Sequence, residues 1–172
     1  RIGPDGKAQP WAVKSYDIVD PTTIDLTLRD GMKWHDGEDV TAEDVKFTFD
    51  YHTKWQAPFF VEALRHFDSV EVTAPLSVRV KLKDPYAPFI PNLLGAIFLI
   101  PEHIWKDIPD KVGLEDPLNY ANDNPVGSGP FKFVHWDRGR ELKVEAFKEH
   151  FNAPKADGII RIPPHVEGVR EN

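Results

Sequence analysis

The sequence predicts an α/β fold with a mixed sheet, and three patterns carry that reading. Ile24, Leu26 and Leu28 alternate with Asp25, Thr27 and Arg29, and Val78, Val80 and Leu82 alternate with Arg79 and Lys81. A period of two is that of a half-buried strand. Between these runs, Val45, Phe49 and His52 recur on one helical face with Phe47 and Tyr51 beside it. Further on, Phe131 to Trp136 and Glu141 to Phe147 form two more extended runs around Asp137-Arg138-Gly139-Arg140.

Taken in order, residues 1–15 read as loop with Trp11 and Val13 as anchors, and the turn-rich opening reads as a cut between elements. The strand from Ile24 ends in the turn Asp30-Gly31. Met32-Lys33-Trp34 is a short extended piece, and His35-Asp36-Gly37 is a second turn. Thr41 can accept from an orphan backbone N–H, and Glu43 and Asp44 sit where the helix dipole favours negative charge. A helix therefore starts here and runs to about Lys54, with Pro58 blocking its continuation. Val70-Glu71-Val72 and the run from Val78 are joined as a hairpin through Ala74-Pro75-Leu76-Ser77. A short helix is expected from Ala87 to Leu94, and another from Glu102 to Asp107 behind Pro101. The Asn-, Asp-, Pro- and Gly-rich stretch Asn119 to Gly129 is the best internal boundary. Ile159 to Ile162 is a last strand, ended by Pro163-Pro164.

Composition narrows the function classes. Hydrophobic residues at 41% and aromatics at 12% suffice for a core and argue against disorder. A net charge of −7 without a dense Lys/Arg patch speaks against a nucleic-acid partner. The absence of cysteine removes disulfides, thiolate metal sites and a Cys nucleophile. No run of 18 apolar residues exists; Leu93 to Ile100 is too short to span a membrane.

Several motifs could suggest chemistry. His35-Asp36-Gly37 reads as a tight turn, with Gly37 at positive φ and Asp36 bonding local backbone, because adjacent residues rarely form a His–Asp dyad and no nucleophile is in view. Gly127-Ser128-Gly129 lacks the frame and the Lys of a phosphate loop, so it reads as a close backbone crossing. The seven histidines show no i, i+3 or i+4 pair, so no helical metal site and no cofactor are expected. Trp55 and Phe59 flank Pro58 and are candidates for an aromatic wall against a ligand, with core packing as the alternative. Leu94, Gly95 and Ala96 are the second candidate: the small residues would let a ligand approach backbone closely, with a plain buried strand as the alternative.

Four segments, in this order, resemble the family 5 extracellular solute-binding proteins. They are Leu28-Arg29-Asp30-Gly31; Lys33-Trp34-His35-Asp36-Gly37 with Val40-Thr41-Ala42-Glu43-Asp44-Val45; Pro125-Val126-Gly127-Ser128-Gly129-Pro130-Phe131; and Phe147 to Ile160. Asp39 stands where the family often has Pro, Ser128 where it has Thr, and His150-Phe151 where it has Tyr-Trp. The resemblance implies part of one lobe of a two-lobed, class II periplasmic-binding-protein-like fold. Residues 1–124 would be a small α/β subdomain of lobe I, and 125–172 strands returning into the main sheet of that lobe, with the second lobe absent. It assigns His35, Asp36, Gly37, Thr41, Gly127, Gly129 and Pro130 to structural motifs, and places the segment after the short helix at the border of a ligand cleft.

The function it implies is that of the substrate-binding component of an ABC importer, not an enzyme. Such a receptor captures a peptide or another small solute in the periplasm or on the extracellular face of the membrane, free or lipid-anchored, and docks on an ABC permease through the full-length protein. The contrasting readings are a hydrolase using paired carboxylates and a non-ligand-binding interaction module. No carboxylate pair stands out for acid and base roles. Edge-to-edge self-association is expected of a lone lobe fragment, near Ile159 to Ile162 or Phe131 to Trp136.

Overall fold

The structure, a computed structural model, describes residues 5–7, 9–112, 120–152 and 159–162. It divides into two compact units. The first comprises Arg1–Gly31 and Val40–Ala121, the second Met32–Asp39 and Asn122–Asn172. This differs from a single boundary at 124/125: the chain leaves the first unit at Gly31, returns at Val40 and leaves again after Ala121. The short segment 32–39 belongs with residues far along the sequence because its hydrogen bonds go there, as set out below.

The first unit is built on a four-stranded antiparallel sheet. Its strands are β1 (Val13–Asp20), β2 (Thr23–Leu28), β3 (Phe67–Ala74) and β4 (Ser77–Leu82), in the order β1-β2-β4-β3. Both inner strands carry the alternation seen in the sequence. Ile24, Leu26 and Leu28 of β2 and Val78, Val80 and Leu82 of β4 are buried. On the other face Asp25 and Arg79, paired in register, form a two-pronged ion pair with both N···O distances 2.7 Å.

Strand β1 corrects the expectation of loop through residue 15. Its side chains are exposed almost throughout, so it has no buried alternation to read; backbone pairing with β2 alone makes it a strand. Edge strands of this kind are invisible to a pattern of burial.

Helix α1 (Ala42–Lys54) covers the sheet. Phe49 is 1% exposed and stacks on Phe67 of β3 at 5.1 Å and on Phe89 at 6.4 Å. Its start is a capping box between Thr41 and Asp44. The short helix expected over Ala87 to Leu94 is found as a π-helical segment, Phe89–Leu94, in which Gly95 N–H donates to the Ile90 carbonyl at 2.9 Å. Pro91 lies in the first turn of this segment, where a missing N–H leaves no helical bond unmade, and the Asn92 N–H donates to the Pro88 carbonyl at 2.8 Å. A four-residue helix not expected from the sequence, α2 (Val61–Leu64), precedes β3. The helix behind Pro101 is shorter than expected, α3 (Glu102–Trp105), and α4 (Ile108–Val112) follows it.

The second unit holds the antiparallel sheet β5 (Phe131–Asp137), β6 (Glu141–Ala146) and β7 (Ile159–Ile162), in that order. Lys132 and Glu145 are in register and form an ion pair at 3.1 Å. Strand β5 is an edge of its sheet, with Val134 and Trp136 exposed; β1 and β3 are the edges of the larger sheet. The predicted stop at Pro163-Pro164 lies outside the described residues.

Candidate functional site

Within the first unit the chain encloses a cavity of about 340 Å³. Its floor comes from the sheet and the helix: Leu26 and Leu28 of β2, Val45 and Phe49 of α1. One wall is the loop Gln9 to Ala12 with the start of β1, and the other is the run Leu94 to Leu99. No Asp, Glu, Lys or Arg is among the lining residues. Tyr16 and Phe98 line it while remaining 48% and 77% exposed, which puts them at its mouth.

Both walls are tied down by polar side chains that do not themselves line the cavity. Arg29 holds the first wall: its backbone N–H donates to the Ala12 carbonyl at 2.9 Å, and its Nε donates to the Trp11 carbonyl at 3.0 Å. Asp44 and Thr48 of α1 hold the second. Thr48 Oγ1 donates to the Asp44 carbonyl at 2.7 Å and accepts from the Ile100 N–H at 3.0 Å. Asp44 Oδ1 accepts from the Glu102 N–H at 3.0 Å, while its Oδ2 accepts from the Thr41 N–H at 2.9 Å. Both are buried, as polar groups with complete partners can be. At its other end, the second wall starts from Phe89 and Leu93, neither measurably exposed. Residues 95–99 are thus stretched between two fixed points.

Of the residues singled out in the sequence, Leu94, Gly95 and Ala96 line this cavity; Trp55 and Phe59 do not. Trp55 is half-buried with Lys54 Nζ 5.0 Å above its ring, and Phe59 is 94% exposed. Gly95 has φ −76°, so its conformation is open to any residue, and what it contributes is small size. Sequence reasoning did not find the clamps. Arg29 and Asp44 fall within motifs that resemble the family's, but nothing in those motifs says which backbone groups they hold, and Asp44 reads equally well as a plain first-turn carboxylate.

The motif residues of the second unit form a separate arrangement around His35. Gly37 takes φ 99°, and Asp36 Oδ1 accepts from the Glu38 N–H at 3.3 Å, closing the turn. The His35 N–H donates to the Gly127 carbonyl at 2.8 Å, and Gly127 N–H donates back to His35 Nδ1 at 3.2 Å. With Nδ1 accepting, Nε2 carries the proton and donates to the Gly129 carbonyl at 2.9 Å. The Phe147 ring meets the imidazole edge-on at 5.0 Å, and its N–H donates to the Pro130 carbonyl at 2.9 Å. A Cβ on Gly127 would stand 3.4 Å from His35 Cε1, an ordinary van der Waals contact, so a methyl group would lie against the ring and anything larger would press on it. Burial holds the His35 pKa below the usual histidine range; the Gly129 carbonyl opposes this, Lys132 adds to it and Asp36 opposes it. Burial lowers His52 and His150 likewise. Among the described residues no group of three or more His, Cys, Asp or Glu is placed to hold a metal ion.

The chain is similar to known proteins along most of its length. Residues 7–163 match the model of the bacterial extracellular solute-binding proteins, family 5 Middle. The chain is 35% identical over 133 residues to the oligopeptide-binding protein AppA of Bacillus subtilis, covering 74% of this chain and 23% of that protein. The structure of NikZ from Campylobacter jejuni in complex with Ni(L-His) superposes with a TM-score of 0.80 at 28% identity, covering 95% of this chain and 32% of the other. The structure of AppA in complex with a nonapeptide superposes with a TM-score of 0.75 at 27% identity, covering 89% of this chain and 30% of the other. The chain spans 23% to 32% of the length of these relatives. Four ordered motifs and a family match over residues 7–163 make this chain a member of the family 5 bacterial extracellular solute-binding proteins.

Proposed function

We propose that the chain is part of the substrate-binding component of an ABC importer, a receptor that captures a peptide or another small solute in the periplasm or on the extracellular face of the membrane. The observation that carries this reading is the family match over residues 7–163. The relatives' names support it, since they include oligopeptide-binding and peptide-binding ABC transporter proteins. In this reading the first unit is the small subdomain of lobe I and the second unit begins the return into its main sheet. Among the described residues no helix is long and apolar enough to cross a membrane.

Capture needs no covalent step. It needs a preformed concave surface and exclusion of water, and the clamped cavity supplies such a surface. We assign Leu94, Gly95 and Ala96 to the solute-facing wall. Trp55 and Phe59, outside the lining, are left to packing and to the surface. The test is calorimetric titration of the intact protein with a peptide panel of graded length and charge. Saturable one-site binding without product formation is the expected result. Turnover of any panel member, or no binding across peptides and other small solutes, would sink the receptor reading.

A further inference from the structure

We propose that the cavity of the first unit is a specificity pocket for an uncharged, apolar group of aromatic size carried by the solute. The proposal rests on the receptor reading for its biological setting, but the pocket itself stands on four observations. The first is charge. The chain is 28% charged, yet no charged side chain lines the cavity. A charged ligand group placed there would lose its hydration without gaining a partner.

The second is size. A volume of about 340 Å³ is roughly twice the ~150 Å³ apolar cavity that accepts benzene, and it lies at the small end of the ~300–1,000 Å³ range of ligand pockets. It has room for a one- or two-ring group and little else. The third is gradation. Leu26, Leu28 and Phe49 at the floor are at most 2% exposed, whereas Tyr16 and Phe98 at the mouth are 48% and 77% exposed. Ser15 and Gln9 add polar groups to the lining. An amphipathic group would therefore enter apolar end first and leave its polar end in water.

The fourth is rigidity. An unsupported apolar hollow would be expected to close as its walls moved inward. Here the Arg29 bonds to residues 11 and 12 and the Asp44–Thr48 bonds to residues 100 and 102 fix both walls. A pocket held open in this way binds without the cost of ordering its walls. If the solute is a peptide, the class is one with an aromatic or large aliphatic side chain at the position that reaches this pocket.

The test uses indole as the probe, on intact protein labelled at Ile, Leu and Val methyls and followed by NMR. Saturable shifts are expected at the methyls of Leu28, Val45 and Leu94, with no competition from acetate or methylammonium. Gly95→Trp, which fills the cavity, should weaken indole at least tenfold; Ala96→Phe serves the same purpose if the first variant does not fold. No shift at these methyls at millimolar indole, shifts centred elsewhere, or undiminished binding in a folded filled variant would overturn the proposal. The two readings fail separately. Peptides that bind without touching these methyls would remove the pocket and leave the receptor, and indole seated here in a protein that binds no solute would do the reverse.

Discussion

In the first unit, β2 and β4 bury every other side chain and close on a helix, whereas in the second unit β5 and β6 leave most of their side chains partly exposed. Among the described residues, the buried hydrophobic side chains of the second unit are Met32, Trp34 and Phe147. Its closest organisation runs through hydrogen bonds to one imidazole and two glycine peptides. The contrast teaches that the first unit is specified by apolar area, which is non-directional and tolerant, and the crossing of the second by directional bonds that a single atom can remove.

The largest expected effect lies in the apolar unit. Phe49→Ala should cost about 3–5 kcal/mol in urea unfolding, because the ring is buried between Phe67 and Phe89 and the gap cannot be refilled locally. A loss below about 1 kcal/mol would show that the site collapses freely, and the contrast between the units would break. Next is Asp44→Ala, which leaves the Thr41 and Glu102 N–H groups without their carboxylate and should cost about 1–3 kcal/mol. Hydrogen exchange at Ile100 and Glu102 should quicken in this variant, and unchanged exchange there would detach the clamp from the cavity wall.

In the second unit, His35→Phe should cost about 1–2 kcal/mol by removing two side-chain bonds to the glycine segment. Gly127→Val should lower the melting temperature, because its Cβ would already touch that ring at 3.4 Å and its two methyl groups need further space. The pH dependence has a definite sign. His35, His52 and His150 have folded pKa values below the ordinary histidine value of 6.5, so the unfolded chain takes up protons first. Their contribution is fully present above 6.5 and is lost as pH falls from there through the folded values. Stability measured from pH 7.5 down to pH 5 should fall, and His35→Asn, which keeps an acceptor near Nδ1 but cannot titrate, should flatten the slope. An unaltered slope would place the titration elsewhere.

The smallest effect is expected at Gly95→Ala. The φ of −76° suits any residue, so stability should change by at most about 1 kcal/mol. A larger loss would mean that the cavity wall has no room for a methyl group, which sharpens the size limit on what the pocket accepts.

The sequence by itself determined the elements with strong periodicity. β2, β4 and α1 were legible because each buries one face and exposes the other, so the environment of every second or fourth side chain is written into its type. The turn at Gly37 was legible because its backbone conformation suits glycine. Leu94, Gly95 and Ala96 stood out as candidates by the small size of two of them and by the family resemblance, but their place in this cavity wall followed from neither.

Tertiary structure alone decided the rest. Strand β1 exists through backbone pairing, which has no side-chain signature. The membership of residues 32–39 in the second unit depends on His35 meeting Gly127 and Gly129, more than ninety positions away. Arg29, Asp44 and Thr48 became clamps only when the chain brought residues 11, 100 and 102 to them. A hydrogen-bonding side chain carries the capacity to bond but not the identity of its partner. Periodicity therefore predicts which face is buried, and only the folded chain determines which backbone groups a buried polar side chain holds in place.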